Sequence, residues 1–184
     1  MNRALIVIDY TVDFVANDGN LTCGEPAQAL DAYISRLMND FHSGGDYIIM
    51  ANDTHEQDDP YHPETKLFPP HNIRGTEGRE LYGEVKAARD RLKDTGKFYE
   101  FDKTRYSAFA GTRLEMYLRE RGIEEIHLAG VCTDICVLHT AVDAYNKGFH
   151  IVVHEAGVAS FNQMGHEWAL EHFENTMGAR VLKK

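Results

Sequence analysis

The sequence predicts an α/β fold in which a mostly parallel sheet carries helices on both faces. Three observations predict it. Apolar runs of strand length alternate with longer amphipathic stretches along the chain, the pattern left by repeated strand–helix–strand units. The first run, "ALIVID" (4–9), is almost unbroken in apolar residues, as expected of a strand covered on both faces. The chain has 184 residues, 43% hydrophobic and 26% charged, enough for one sizeable core.

Each element follows from its residues. After the strand at 4–9, "PAQALDAYISRLMNDFH" (26–42) opens on proline and repeats apolar residues at helical spacing, so a helix is predicted from about Ala27. "DYIIMAND" (46–53) is the second strand, "GRELYGEVKAARDRLK" (78–93) the next helix and "KFYEFD" (97–102) the third strand. "GTRLEMYLRERG" (111–122) reads as a helix closed by glycine. "EIHLAGV" (125–131) is the fourth strand, "TDICVLHTAVDAYNKG" (133–148) a helix and "FHIVVHEA" (149–156) the fifth strand. "GHEWALEHFENTMG" (165–178) is the last helix and "ARVLKK" (179–184) a short final strand. Neither an internal repeat nor a linker divides residues 1–184, so a single domain is expected.

Charge and punctuation narrow the function. The formal net charge of −10 argues against unspecific contact with nucleic acid or an anionic membrane surface. No apolar run approaches the ~20 residues that span a bilayer. "MNRALIVIDY" ends its short apolar run in an acid and reads as a strand, not a signal peptide. Three cysteines are too few for a disulfide framework. A reducing cytoplasm is the expectation.

In such folds ligands sit beyond the carboxyl ends of the strands. The residues there are Asp9, Asp53, Asp102 with Lys103, Val131 with Cys132, and Glu155. Asp9 ends an apolar strand, and a buried acid is either paired or functional. Lys103 is either a solvated lysine or a partner that holds Asp9 ionised. Between Asp53 and Glu77 runs a long segment without periodicity, and loops of that length are usually functional or disordered. Four of the five prolines stiffen it (Pro60, Pro63, Pro69, Pro70), and it carries His55, His62, Glu64 and His71. That donor set suits a first-row divalent metal better than calcium, although a solvated polar loop would look the same. Cys132 and Cys136 read as buried packing, as half a metal site, or as a nucleophile and its neighbour. A helix beginning near Asp134 would place Cys136 in its first turn, where the dipole favours a thiolate. Cys23 lies in a loop with no evident partner. His139, His154, His166 and His172 read as surface or satisfied core histidines.

Four segments together resemble the nicotinamidases of the isochorismatase-like cysteine hydrolase superfamily: "ALIVIDYTVDF", "ANDTHE…HPETKLFPPH", "DKTRYSAFAGT" and "LAGVCTDICVLHTAVDAYNKGF". They occur in the family's order. The resemblance implies a six-stranded, mostly parallel sheet and a cis peptide before Cys132. It implies a catalytic triad of Asp9, Lys103 and Cys136, with the backbone N–H groups of Cys132 and Cys136 as oxyanion hole. It implies a divalent metal, zinc first with iron or manganese as alternatives, on Asp53, His55, His71 and Glu64, with His62 as rival to Glu64. Phe14, Phe68 and Tyr106 become walls for a flat ring, or else ordinary core. The implied reaction is hydrolysis of nicotinamide, and of the near-isosteric pyrazinamide, in NAD salvage, and a homo-oligomer is left open. Another amidase of the superfamily, or a metal-binding protein with an inert Cys136, are the rival readings.

Overall fold

The computed structural model describes residues 2–183. Its elements in chain order are β1 (Asn2–Ile8), α1 (Val12–Val15), α2 (Glu25–Gln28), α3 (Asp31–Ser43), β2 (Tyr47–Asp53), α4 (Gly83–Leu92), β3 (Phe98–Lys103), α5 (Leu114–Glu120), β4 (Ile123–Val131), α6 (Leu138–Asn146), β5 (His150–Ala159), α7 (Gln163–Asn175) and β6 (Arg180–Leu182). All strand pairs are parallel, in the order β3-β2-β1-β4-β5-β6. The chain winds one way through β1, β2 and β3 and the other way through β4, β5 and β6. The reversal falls between β1 and β4, where such sheets place their ligands.

Burial explains the unbroken apolar strands. On β1, Leu5 and Val7 pack on one face with Ile34, Met38 and Phe41 of α3 and Val85 and Ala88 of α4. Ala4, Ile6 and Ile8 pack on the other with Leu114 and Leu118 of α5, Ala141 of α6 and Phe173 of α7. The sheet therefore has two cores, one per face, and alternation of side chains feeds both. Among the described residues no helix is long and apolar enough to cross a membrane.

Three boundaries differ from the sequence expectation. The helix expected over 26–42 is broken between Gln28 and Asp31, because Ala29 and Leu30 close the first piece with tight N–H bonds back to Glu25, Ala27. Asp31 instead accepts the N–H groups of Glu84 (2.8 Å) and Val85 (3.1 Å), capping α4 from outside. The helix expected over 78–93 starts only at Gly83, since Leu81 is drawn out to bridge Thr11. β5 continues to Ala159 past a register shift, pairing Leu128 with Val153 but Gly130 with Val158. Glu155 consequently sits inside β5 at that bulge, not beyond a strand end. The last residue of the expected final strand, Lys184, lies outside the described residues.

His154 and His127 are buried core histidines joined in a chain. Glu125 only accepts, so His127 donates from Nε2 to it (3.0 Å) and accepts at Nδ1 from His154 Nε2 (2.9 Å). His154 Nδ1 then accepts the Tyr33 hydroxyl (2.9 Å). Burial lowers both imidazoles, His154 to about 4. An unfolded histidine titrates near 6.5, so between those values the unfolded chain binds more protons and stability falls as pH falls. We expect His154→Gln, which keeps both hydrogen bonds and cannot titrate, to lose less stability than wild type between pH 7 and pH 4, by on the order of 2 kcal/mol. Urea unfolding of the two proteins at both pH values reads the difference directly; equal losses would remove His154 as the titrating group.

Candidate active site

Asp9, Lys103 and Cys136 come from three strand ends and meet. Asp9 leaves β1 with φ 56, in the left-handed region that Asp tolerates better than most residues. Its Oδ1 accepts the Asp53 N–H at 2.8 Å, and its Oδ2 lies 2.9 Å from Lys103 Nζ in an ion pair. Lys103 is the last residue of β3, two strands over, and reaches across the end of β2. Its ammonium also donates to the Arg105 carbonyl (2.9 Å) and lies 3.6 Å from Cys136 Sγ. Both charged side chains are fully enclosed, and Cys136 is 7% exposed.

Burial raises the Asp9 carboxyl to about 6, against the lowering pull of Lys103. Burial works against the Lys103 cation, but Asp9, Cys136 and Asp53 outweigh it and hold the lysine charged. Burial and then Asp9 push the Cys136 thiol well above its ordinary value. A thiol pushed up and a carboxylate share the same enclosed space, an arrangement suited to passing a proton between them.

The turn that carries the sulfur is not the regular first helical turn expected from sequence. Thr133–Val137 is a π-helical turn, because the N–H of Val137 reaches back five residues to the Cys132 carbonyl (3.1 Å), which also accepts from Ile135 (3.1 Å). Such turns cluster at functional sites. The peptide between Val131 and Cys132 is cis. Just before it, Gly130 has φ 119, and a Cβ there would stand 2.0 Å from the Ile8 carbonyl oxygen. Only glycine lets β4 press this close to β1, which brings the Cys132–Cys136 turn over Asp9.

A second cluster lies beside the first. Asp53 ends β2, and His55 Nε2 is 2.7 Å from its Oδ2. His71 Nε2 is 3.5 Å from Asp53 and 3.5 Å from Glu64, and it is a buried nitrogen with no hydrogen-bond partner. Ligand atoms of Asp53, His55 and His71 fall within 4.8 Å of one another, as do those of His55, His62 and Glu64. His62 is committed elsewhere: its Nε2 donates to the Thr104 carbonyl (2.7 Å) and its Nδ1 accepts the Glu64 N–H (3.2 Å). Burial works against a His71 cation, yet the Asp53 and Glu64 carboxylates beside it raise it to about 10, so the cluster favours positive charge. A partnerless imidazole nitrogen aimed between two carboxylates and a second imidazole fits a divalent ion.

The proline-rich segment is ordered, as expected, by short 3₁₀ turns at Pro63–Lys66 and Glu77–Arg79 and a bridge between His55 and Ile73. Three residues that organise it were missed. Asn72 (φ 47) donates to Asp53 Oδ2 (3.2 Å) and accepts from Thr11 (2.8 Å). Asp13 accepts the Asn72 N–H at 2.7 Å. Thr11 and Asp13 lie in "DYTVDF", right after Asp9, and a buried acid four residues past a strand-end acid was the available signal.

Phe14, Phe68 and Tyr106 line one small pocket with Cys136, Cys132 and Glu64. Leu21, Ile135 and Phe161 complete it and were not singled out from sequence. A larger cleft of about 570 Å³ beside β3 is lined by ion pairs, Arg74 and Arg79 to Asp102 and Arg89 to Glu100, and no cysteine lines it. His139 is exposed, while His166 contacts the Thr133 hydroxyl (2.7 Å).

A doubly wound sheet with a thiol, a carboxylate and an amine at its switch point defines the class of α/β proteins built around a buried cysteine. The isochorismatase domain pattern matches residues 3–184, and the chain belongs to the isochorismatase family. It is 62% identical, over the full length of both chains, to a Bacillus subtilis (strain 168) protein described as an uncharacterized isochorismatase family protein, PncA. The crystal structure of nicotinamidase/pyrazinamidase PncA from Bacillus subtilis superposes with a TM-score of 0.98, at 60% identity and full coverage of both chains. The pyrazinamidase of Pyrococcus horikoshii in complex with zinc superposes with a TM-score of 0.86, at 25% identity and full coverage of both.

Proposed function

We propose that residues 1–184 act as one hydrolase domain, a nicotinamidase that converts nicotinamide to nicotinic acid and ammonia in cytoplasmic NAD salvage and also cleaves pyrazinamide. The observation that carries this reading is the meeting of Asp9, Lys103 and Cys136, with Cys136 opening onto an aromatic-lined pocket.

Cys136 Sγ attacks the amide carbonyl carbon, and Asp9 takes the thiol proton. The backbone N–H groups of Cys132 and Cys136 receive the oxyanion; one such donor contributes about 3 kcal/mol to the transition state. As the tetrahedral adduct collapses, Asp9 returns the proton to nitrogen, the C–N bond breaks and ammonia leaves. Water then attacks the thioester with Asp9 again as base, and the C–S bond breaks. The acid leaves as nicotinic acid and the proton goes back to sulfur. Lys103 keeps Asp9 ionised before attack and faces the developing thiolate. Phe14, Phe68 and Tyr106 hold the ring by offset or edge contact.

Asp53, His55, Glu64 and His71 would hold the divalent ion, zinc before iron or manganese, which when bound supplies a Lewis-acid anchor for a ring nitrogen beside the nucleophile. Because both His62 nitrogens are engaged with backbone, Glu64→Ala should weaken metal retention by at least the ~10–100-fold typical of losing a supporting partner, and His62→Ala by less. Elemental analysis after dialysis reads this; the reverse order makes His62 the ligand. The function itself is tested by ammonia release from nicotinamide, pyrazinamide and other aromatic amides, with metal content measured on the same sample. Turnover of a different amide with none of nicotinamide would reassign the substrate.

A further inference from the structure

Cys23 and Cys132 stand 109 positions apart, yet their sulfurs lie 3.2 Å from each other. Both are buried, at 5% and 6% exposure. Cys23 is held in the loop before α2 by its N–H bond to the Phe14 carbonyl (2.8 Å). Cys132 sits at the cis junction after β4 and faces the substrate pocket beside Cys136. The reaction uses the Cys132 amide and leaves its thiol idle, so this contact joins an unused thiol pair to the backbone of the oxyanion hole.

We propose that Cys23 and Cys132 are a modification site, a dithiol that a small hydroperoxide closes to a disulfide, switching the hydrolase off reversibly. The hydrogen bond with Cys23, and then burial, push the Cys132 thiol well above its ordinary value. Either sulfur can donate in this contact, and in the proposed route Cys23 attacks first. With hydrogen peroxide, Cys23 Sγ attacks one peroxide oxygen, the O–O bond breaks, and water departs with the thiol proton, leaving a sulfenic acid. Cys132 Sγ then attacks that sulfur; the S–S bond forms, the S–O bond breaks, and hydroxide leaves with the Cys132 proton as a second water. Two thiols lose two hydrogens and two electrons, and the peroxide gains them. A dithiol reductant reverses the change by exchange.

Closure draws the sulfurs together by about 1 Å. That pull acts on the residue whose N–H stabilises the oxyanion, and a misplacement of about 1 Å in a positioned group can cost ~10²-fold in rate.

The test uses the full-length protein treated with hydrogen peroxide, then alkylated and digested without reduction. The expected product is a peptide pair linking Cys23 to Cys132, with intact mass lower by two hydrogens. A link between Cys132 and Cys136, or no link, overturns the site. This readout needs no turnover, whereas the activity arm rests on the nicotinamidase reading, so the two can fail separately. Peroxide should lower kcat/KM at least ~10-fold, restored by dithiothreitol. Cys23→Ala should keep its basal rate and show no reversible loss. An equal reversible loss in that variant assigns the effect to Cys136 and overturns the switch, as does a mapped bond with undiminished turnover.

Discussion

Cys136→Ala is expected to lower kcat/KM for nicotinamide by about 10⁴-fold or more, a barrier increase of about 5 kcal/mol. The size follows from what else surrounds the substrate. The remaining pocket side chains are Phe14, Leu21, Phe68, Tyr106, Ile135, Phe161, Glu64 and Cys132. Glu64 faces His71, and the Cys132 thiol is engaged with Cys23. None of them stands beside Asp9 as a second nucleophile. The fold should survive, because the change removes one sulfur from a turn whose backbone bonds run through the Cys132 carbonyl. A shift in unfolding free energy of about 1 kcal/mol is expected. Ammonia release at high enzyme concentration, with denaturant unfolding of the same sample, separates the two effects. A folded Cys136→Ala protein that retains turnover places the nucleophile elsewhere.

The strands were legible because both sheet faces are buried. Leu5 and Val7 serve one core and Ile6 and Ile8 the other, so no polar residue interrupts the run. Asp9 was legible for the same reason, since it breaks an apolar segment where a parallel strand ends; Lys103 follows Glu100 and Asp102 on an edge strand, and only the family resemblance singled it out. What stayed hidden depends on pairings distant in sequence. The break before Asp31 follows from α4 claiming that carboxylate as its cap. The π-helical turn at Thr133–Val137 follows from two N–H groups sharing the Cys132 carbonyl, which no residue pattern announces. The same holds for Cys23, whose loop position gave no hint of a sulfur 109 residues away. Phe161, brought to the pocket from beyond β5, carries no local motif. The helix start suggested a favoured thiolate, whereas burial and the neighbouring Asp9 push the Cys136 thiol up.

The other large effect is expected from Lys103→Met, which keeps the length of the buried chain and removes its charge. In the native protein the ammonium, 2.9 Å from Asp9, opposes the upward pull of burial on that carboxyl. Without it the carboxyl rises further and holds a proton at neutral pH, so the Cys136 thiol has no acceptor. kcat/KM should fall by about 10²–10⁴-fold, the range for loss of a general base. The acid limb of its pH profile should move to higher pH, since deprotonation of Asp9 becomes harder. Stability gives an independent reading. An isolated carboxylate in an enclosed site costs several kcal/mol, with 3–5 typical when one partner of a buried pair is lost. Protonation relieves that penalty. Because the folded value of Asp9 then lies far above the unfolded ~3.9, the folded variant binds more protons and is stabilised by acid. Its deficit relative to wild type should therefore be smaller at pH 5 than at pH 8 in matched unfolding experiments. If Lys103→Met keeps the native rate and the native acid limb, Lys103 does not govern the charge on Asp9, and the proton transfer from sulfur has to be carried by a different pair.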